Sequence, residues 1–320
     1  MKGALLLALL VVAMVALTVG SVHIPASEVA KRVFRAACGR TAGDTTDQIL
    51  LTVRLPRVVL AGSVGAALAL SGLAAQTLFR NPLATPSIIG VSNGAALGAV
   101  VAMLSGVAAP VGSFVFGLAV AALVFALGRR GSYFGSSLLL AGIAIAALCS
   151  ALTTGALYLA GERLPSVIFW LMGGVWQANG RAALVMLLLA LGALVTMIAL
   201  ARSLNVALVG ESSARDLGLN VPRLQNVLLL LIAVTASAAV SLTGVIGFVG
   251  LIVPHLLRLA LGGDHRRLVP ATALGGALLL LVADTLARKL AAPAEIPVGI
   301  LTALLGAPVF LWLLRRRMAL

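Results

Sequence analysis

Asp284 and Arg288 stand four residues apart, so any helix that carries them sets both on one face, where they can pair. An unpaired charge at the centre of a membrane helix costs about 2.5–3.5 kcal/mol, and less near the interface. Arg54 and Arg57 bracket Pro56 at the start of another apolar stretch. Two readings fit that placement: guanidiniums snorkelling to lipid phosphates, or charge-assisted recognition of an acidic patch on another protein. Glu211 and Arg215 are again one turn apart and flank the small Ala214, in a segment bounded by Gly210 and by Leu217-Gly218. Such a helix serves either as a solvated connection or, being narrow at Ala214, as a close seat for a partner. Asn81-Pro82-Leu83-Ala84 interrupts an apolar run. Pro82 lacks a backbone donor and pushes Asn81 away from helical geometry, so a break there is physically required. It is a turn between spans or an element of a pathway.

Nothing in the chain assembles a catalytic or metal set. Cys38 and Cys149 are far apart and form no CxxC, and His23 and His265 are expected in loops. His255, in the apolar run Gly247–His255, reads as a hydrogen-bonded packing residue, with a haem ligand as the lesser alternative. No GxxxxGK[ST] occurs, so this chain has no P-loop with which to hydrolyse ATP.

The elements that must carry these residues are membrane helices. Of 320 residues, 61% are hydrophobic and 10% are charged, against about half and a quarter in a soluble domain. Ten apolar segments are expected to span, near 3–20, 58–78, 91–109, 111–127, 137–160, 182–201, 224–243, 245–261, 268–287 and 297–314. Met1 to Gly20 also has the form of a cleaved leader, but is read as the first span. Continuous apolar runs with interspersed glycine fit helices rather than an alternating barrel. Gly94 and Gly98 form a GxxxG pair, and Gly244, Gly247 and Gly250 recur every third residue, which favours close helix approach. Ser27, followed by Val29, Val33 and Phe34, predicts a capped amphipathic helix on the outer surface. Residues 164–176 are too short to span, and Trp170 and Trp176 are expected at the membrane interface. Residues 203–223 contain a short helix from Glu211, stopped by Gly218 and Pro222.

The net charge of +14 comes from 23 scattered basic residues without aromatic interleaving, which reflects orientation rather than nucleic-acid binding. With both termini inside, compact inner loops hold Arg80, Arg129-Arg130, Arg202, Arg215, Arg223, Arg258, Arg266-Arg267 and the tail Arg315–Arg317. The outside tally is nearly as large, with Lys31, Arg32, Arg35, Arg40, Arg54, Arg57, Arg163, Arg181, Arg288 and Lys289.

Five stretches in order carry a resemblance: Arg54-Leu55-Pro56-Arg57, Asn81-Pro82-Leu83-Ala84, GESSARDLG at 210–218, GFVGLIVPH at 247–255 and AEIPVGILTALLGAPVF at 294–310. Together they closely resemble the FecCD family, permease subunits of ABC importers for iron-siderophores, haem and cobalamin. The resemblance implies an all-α integral membrane protein of the type II importer fold, with about ten helices per subunit. It implies one membrane domain over 1–320, with a coupling segment near 203–223. By the same resemblance two copies pair in the cytoplasmic (inner) membrane of a bacterium or archaeon. They work with two ATPase subunits, which use the ATP and Mg, and with an extracytoplasmic binding protein; the chain itself binds no cofactor. Arg54, Arg57 and Arg288 match the positions that receive the binding protein's carboxylates. Gly210, Glu211, Ala214, Leu217 and Gly218 match the coupling helix, which also holds Arg215. Asn81 and Leu83 match the narrowing of the inner pathway. Thr85-Pro86 after the NPLA stretch and a nearly absent cytoplasmic leader depart from the pattern. The expected cargo is a ferric chelate, siderophore or haem, ahead of cobalamin. An ion-driven secondary transporter is the remote alternative, disfavoured because the spans hold almost no ionisable residues.

Overall fold

The computed structural model describes residues 2–20, 22, 24–40, 42–129, 134–291 and 294–318, and every regular element among them is helical. His23, Arg130 and the side chains of Arg316 and Arg317 lie outside that description. The chain opens with α1 (Lys2–Thr18), α2 (Ala26–Ala37) and the single turn α3 (Thr45–Gln48). A π-helical stretch, Ile49–Arg54, joins α3 to α4 (Leu55–Leu78). Next come a 3₁₀ turn (Pro86–Ile89), α5 (Val91–Leu104), α6 (Ala109–Gly128), α7 (Phe134–Tyr158) and, after a 3₁₀ turn at Gly161–Arg163, α8 (Leu164–Leu171). The second half comprises α9 (Gly180–Ala199), α10 (Ala201–Ala207), α11 (Glu211–Asp216), α12 (Val221–Thr243), α13 (Val249–Leu261), α14 (His265–Leu290) and α15 (Val298–Met318).

Each of the ten expected segments coincides with a helix, but six are long and apolar enough to cross a membrane by themselves. They are Thr45–Leu78, α6, α7 from Gly135, α9, α12 and α14. The apolar stretches Lys2–Thr18, Val91–Leu104, Val249–Leu261 and Val298–Trp312 are shorter. The 13 residues of α13 reach about 20 Å, short of the roughly 30 Å hydrocarbon layer.

Three helices form the core. The apolar windows of α4, α12 and α14 are 83%, 72% and 61% buried, against 33%, 17% and 28% for α6, α7 and α9; α6 and α9 pack on that core, and α7 packs on α5 and α6. Glycine sets the spacing within that core. A β-carbon at Gly65 would collide with the Gly276 carbonyl, and one at Gly72 with the Gly250 carbonyl. So α4 touches α14 and α13 backbone to backbone. The expected GxxxG pair works at Gly98, which meets Gly112 where α5 crosses α6.

Three local expectations are corrected. Ser27 is not a cap: Pro25 takes that position, and no side chain caps the helix. Trp170 is buried against Ala95, Ala99 and Val240, while Trp176 stacks on Phe169 at 4.3 Å. Pro222 does not stop a helix but opens α12, where its missing N–H costs nothing. His265 is the first residue of α14, fully buried, not a loop residue.

The α2 helix is amphipathic as expected, with Val29 buried beneath it and Phe34 turned outward. Arg32 clasps it to the following turn through Glu28 (2.7 Å), Asp44 (2.5 Å) and Asp47 (2.6 Å). Those carboxylates, Asp44 foremost, raise the Arg32 pKa, and Arg32 in return holds Asp44 below the usual carboxylate range.

Candidate functional site

Two polar clusters interrupt the apolar interior, one near each end of α4. At the Leu55 end, the π-helical stretch lets the Leu55 N–H reach back five residues to the Leu50 carbonyl. The continuous helix thereby passes Pro56 without ending there. Arg57 turns inward and meets Asp284 of α14, Nε at 3.2 Å and Nη2 at 3.0 Å. The same guanidinium forks onto Glu295, Nη1 at 3.0 Å and Nη2 at 2.9 Å. Arg288 approaches Asp284 at 3.4 Å, which bears out the pairing expected from their spacing. Asp284 itself is fully buried between the two cations. A buried carboxylate needs such compensation.

Arg54 and Arg288 also close the end of α1. Arg54 Nη1 donates to the carbonyls of Leu17 (2.7 Å) and Thr18 (3.1 Å), and Nη2 to that of Val22. Arg288 donates to Val19 (3.1 Å) and Ala16 (3.2 Å). The last carbonyls of a helix lack intrahelical partners and carry partial negative charge, so two guanidiniums fit there. Gly20 leaves room for this, since a β-carbon there would strike the Arg54 guanidinium. The structure therefore brings Arg54, Arg57 and Arg288 together and spends their hydrogen bonds within the chain. Glu295, which the sequence reading did not single out, completes the cluster; its only signal was an acidic residue inside the AEIPVG stretch.

At the other end, α4 stops at Leu78 and the chain turns through Arg80, whose φ is +48°. Asn81 is exposed; its side chain accepts from the Leu83 N–H at 2.9 Å, and its own N–H donates to the Gln76 carbonyl at 3.1 Å. His255 of α13 lies 3.4 Å through Nδ1 from the Pro82 carbonyl, which suits the packing reading of that histidine. The nearby cavity, about 230 Å³, is lined by Thr85, Ser87, Ser92, Asn93 and Phe248 among others. Phe248 adopts the left-handed region (φ +66°) at the start of α13, with its ring seated against Gly306 of α15.

The Gly210–Gly218 segment lies beside the same end of α4. Both bounding glycines have positive φ (+118° and +80°), which makes them the natural punctuation of α11. Ala214 is buried and Leu217 is exposed. Glu211 pairs with Arg215 at 3.6 Å, as its spacing predicts, and also with Arg80 at 3.7 Å, while Gln225 donates to it at 2.9 Å. Asn205, Asp264, His265 and Thr77 form a second network, running from the surface at Asp264 to the interior at Thr77, that the sequence reading missed. Among the described residues no group of three His, Cys, Asp or Glu could hold a metal ion.

The chain is similar to known proteins along nearly its whole length. It is 45% identical to the hemin transport system permease protein HmuU of Yersinia pestis, covering 98% of this chain and 96% of that one. It is 43% identical to the cobalamin import system permease protein BtuC of Halobacterium salinarum over 86% of this chain and 75% of that one. A solved inward-facing structure of a metal-chelate type ABC transporter superposes with a TM-score of 0.88, covering 98% of both chains at 35% identity. With multiple apolar helices and such permease relatives, the protein is a multi-pass inner-membrane protein. Residues 7–316 match the FecCD transport family, and the chain belongs to it.

Proposed function

We propose that this chain is the membrane permease of a binding-protein-dependent ABC importer, which brings a ferric chelate, siderophore or haem, into the cytoplasm. The observation that carries this is the end-to-end likeness to the hemin permease, 98% of this chain against 86% for the archaeal cobalamin permease. Cobalamin is the second reading, favoured by the repeated likeness to BtuC proteins at 42–43% identity. The chain makes and breaks no bonds. Its work is to change the relative stability of inward- and outward-open states.

In this proposal residues 1–320 form one membrane domain of about ten spans, four of them short apolar helices completed by neighbours, with both termini cytoplasmic. Two copies enclose the pathway. Two ATPase subunits, which use ATP and Mg, seat on Gly210, Glu211, Ala214, Arg215, Leu217 and Gly218, where buried Ala214 keeps the helix narrow. Asn81 and Leu83 form the inner gate, next to the cavity lined by Thr85, Ser87 and Asn93. The binding protein docks over Arg54, Arg57 and Arg288. Since those guanidiniums are engaged inside the chain, docking is proposed at the open edge of Arg57, where a partner's carboxylate would take the place of half-exposed Glu295. Asp284 is compensated by two arginines, which argues against a proton carrier and hence against an ion-driven transporter.

The test is uptake of radiolabelled ferric siderophore, haem and cobalamin by cells expressing the chain with its ATPase and binding protein. One substrate accumulating only with an active ATPase supports the proposal and names the cargo. Accumulation that persists with an inactive ATPase overturns it.

A further inference from the structure

Thr77, in the last turn of α4, and His265, the first residue of α14, are both buried, and their side chains meet at 3.0 Å through Oγ1 and Nε2. His265 reaches the other way to Asn205 of α10, Nδ1 to Oδ1 at 2.8 Å, and its backbone N–H donates to the same oxygen at 2.9 Å. The Asn205 Nδ2 donates to Asp264 at 2.7 Å, and Asp264 caps α14 through the Arg266 N–H at 3.1 Å. This amide and the Arg266 N–H hold Asp264 below the usual carboxylate range, so it stays an acceptor.

The polarity of this chain is fixed by what each atom can do. A carboxylate only accepts, so Asn205 must turn its NH₂ to Asp264 and its carbonyl oxygen to His265. The imidazole must then carry its proton on Nδ1, which leaves Nε2 as an acceptor facing the Thr77 hydroxyl, whose single proton it shares with the Leu73 carbonyl at 2.9 Å. The His265–Thr77 contact lies in the interior, while the Asn205–Asp264 end of the row is open to solvent. A second link runs across the surface, from Arg80 to Glu211 at 3.7 Å, with both side chains about 40% exposed. Exposed pairs of that kind hold weakly, whereas removing the Thr77 hydroxyl leaves the buried His265 Nε2 facing no donor.

We infer that His265 is a positioning residue that ties the coupling segment to the gate end of α4 through Asn205 and Thr77. This rests on the proposed roles of the Gly210–Gly218 segment and the Asn81 break. Asn205 lies three residues before the Leu208–Gly210 turn into α11, and Thr77 lies four residues before Asn81. Movement of α10 and α11 therefore reaches the Asn81-Pro82 break through α14 and α4, and not only through α12, which follows α11 in the chain.

The experiment uses the complete transporter with its ATPase, in lipid, with Cys38→Ser, Cys149→Ser and Leu83→Cys in this chain. The rate at which a water-soluble maleimide labels position 83 is compared with and without bound ATP, by mass spectrometry of this chain. Thr77→Val removes the hydroxyl while keeping the shape, and Thr77→Ser keeps the hydroxyl. The expected result is an ATP-dependent change in the starting chain and in Thr77→Ser, reduced about fivefold or more in Thr77→Val and in Asn205→Leu, with the ATPase still assembled. An undiminished change in both Thr77→Val and Asn205→Leu overturns the role of His265 and leaves the coupling segment in place. No ATP-dependent change in the starting chain overturns the coupling and gate roles themselves, and the inference with them.

Discussion

Asp284 and Glu295 share Arg57 yet differ in surroundings, and that difference decides what each is worth. Asp284 has no exposure and two cationic partners; the Glu295 side chain is 36% exposed. Asp284→Asn leaves Arg57 and Arg288 facing each other in the interior, so it is expected to destabilise the fold by about 3–5 kcal/mol. Denaturation in mixed detergent micelles measures this, and a loss under about 1 kcal/mol would contradict it. Glu295→Gln removes an exposed partner and is expected to cost less than about 1 kcal/mol. If Arg57 receives a carboxylate of the binding protein, Glu295→Gln also tightens that complex, and added salt weakens it in proportion; titration calorimetry reads both. Unchanged affinity would remove Arg57 from the docking surface. The Asp284–Arg288 pair was legible because a helix repeats every 3.6 residues, so a spacing of four carries information. Arg57 and Asp284 are 227 residues apart, and no period in the chain marks such a pair. The histidine network was hidden for the same reason, since Thr77, Asn205 and His265 belong to three separate helices.

Elements were read best where composition alone decides them. Every apolar run became a helix, and the Asn81-Pro82 break falls where the proline requires it. The start of α4 was misplaced because Arg54, Pro56 and Arg57 resemble a boundary. A π-helical turn absorbs the proline, and buried carbonyls and carboxylates absorb the charges. The α2 helix was placed correctly, but its anchor was not foreseen: Arg32 gathers Glu28, Asp44 and Asp47 from two sides of a turn. Asp44 has a lower pKa folded than unfolded, where a carboxylate titrates near about 3.9. Its contribution is therefore present above that value and is lost as the pH falls through the depressed folded value. Amide hydrogen exchange over residues 26–37 is expected to stay slow from neutral pH down to about 5 and to quicken, beyond its intrinsic pH dependence, only below about 4. Quickening that begins near pH 6 would mean that another group secures α2.

At the scale of the molecule, α4, α12 and α14 make an inner column, with α6 and α9 against it and α7 on α5 and α6. Neither burial nor orientation could be read from hydropathy, because α9 and α4 are both strongly apolar while one is mostly outward and the other mostly enclosed. Glycine contacts decide the difference, and they depend on which helix lies opposite. Orientation has a direct check in exposed Cys38, beyond α2. With both termini cytoplasmic, a membrane-impermeant maleimide added to intact spheroplasts is expected to label Cys38; protection until lysis would invert the topology. One further consequence follows from α4 itself, which carries Arg57 near one end and Thr77 near the other, with no break between. Twenty residues of α-helix make a rod of about 30 Å that neither stretches nor shortens. Tilted by about 5° about its middle, such a rod swings its tips by about 1.3 Å in opposite directions. That is enough to part a 3.0 Å hydrogen bond, so a load placed at the Arg57 tip of this see-saw is felt at Thr77 without any relay in between.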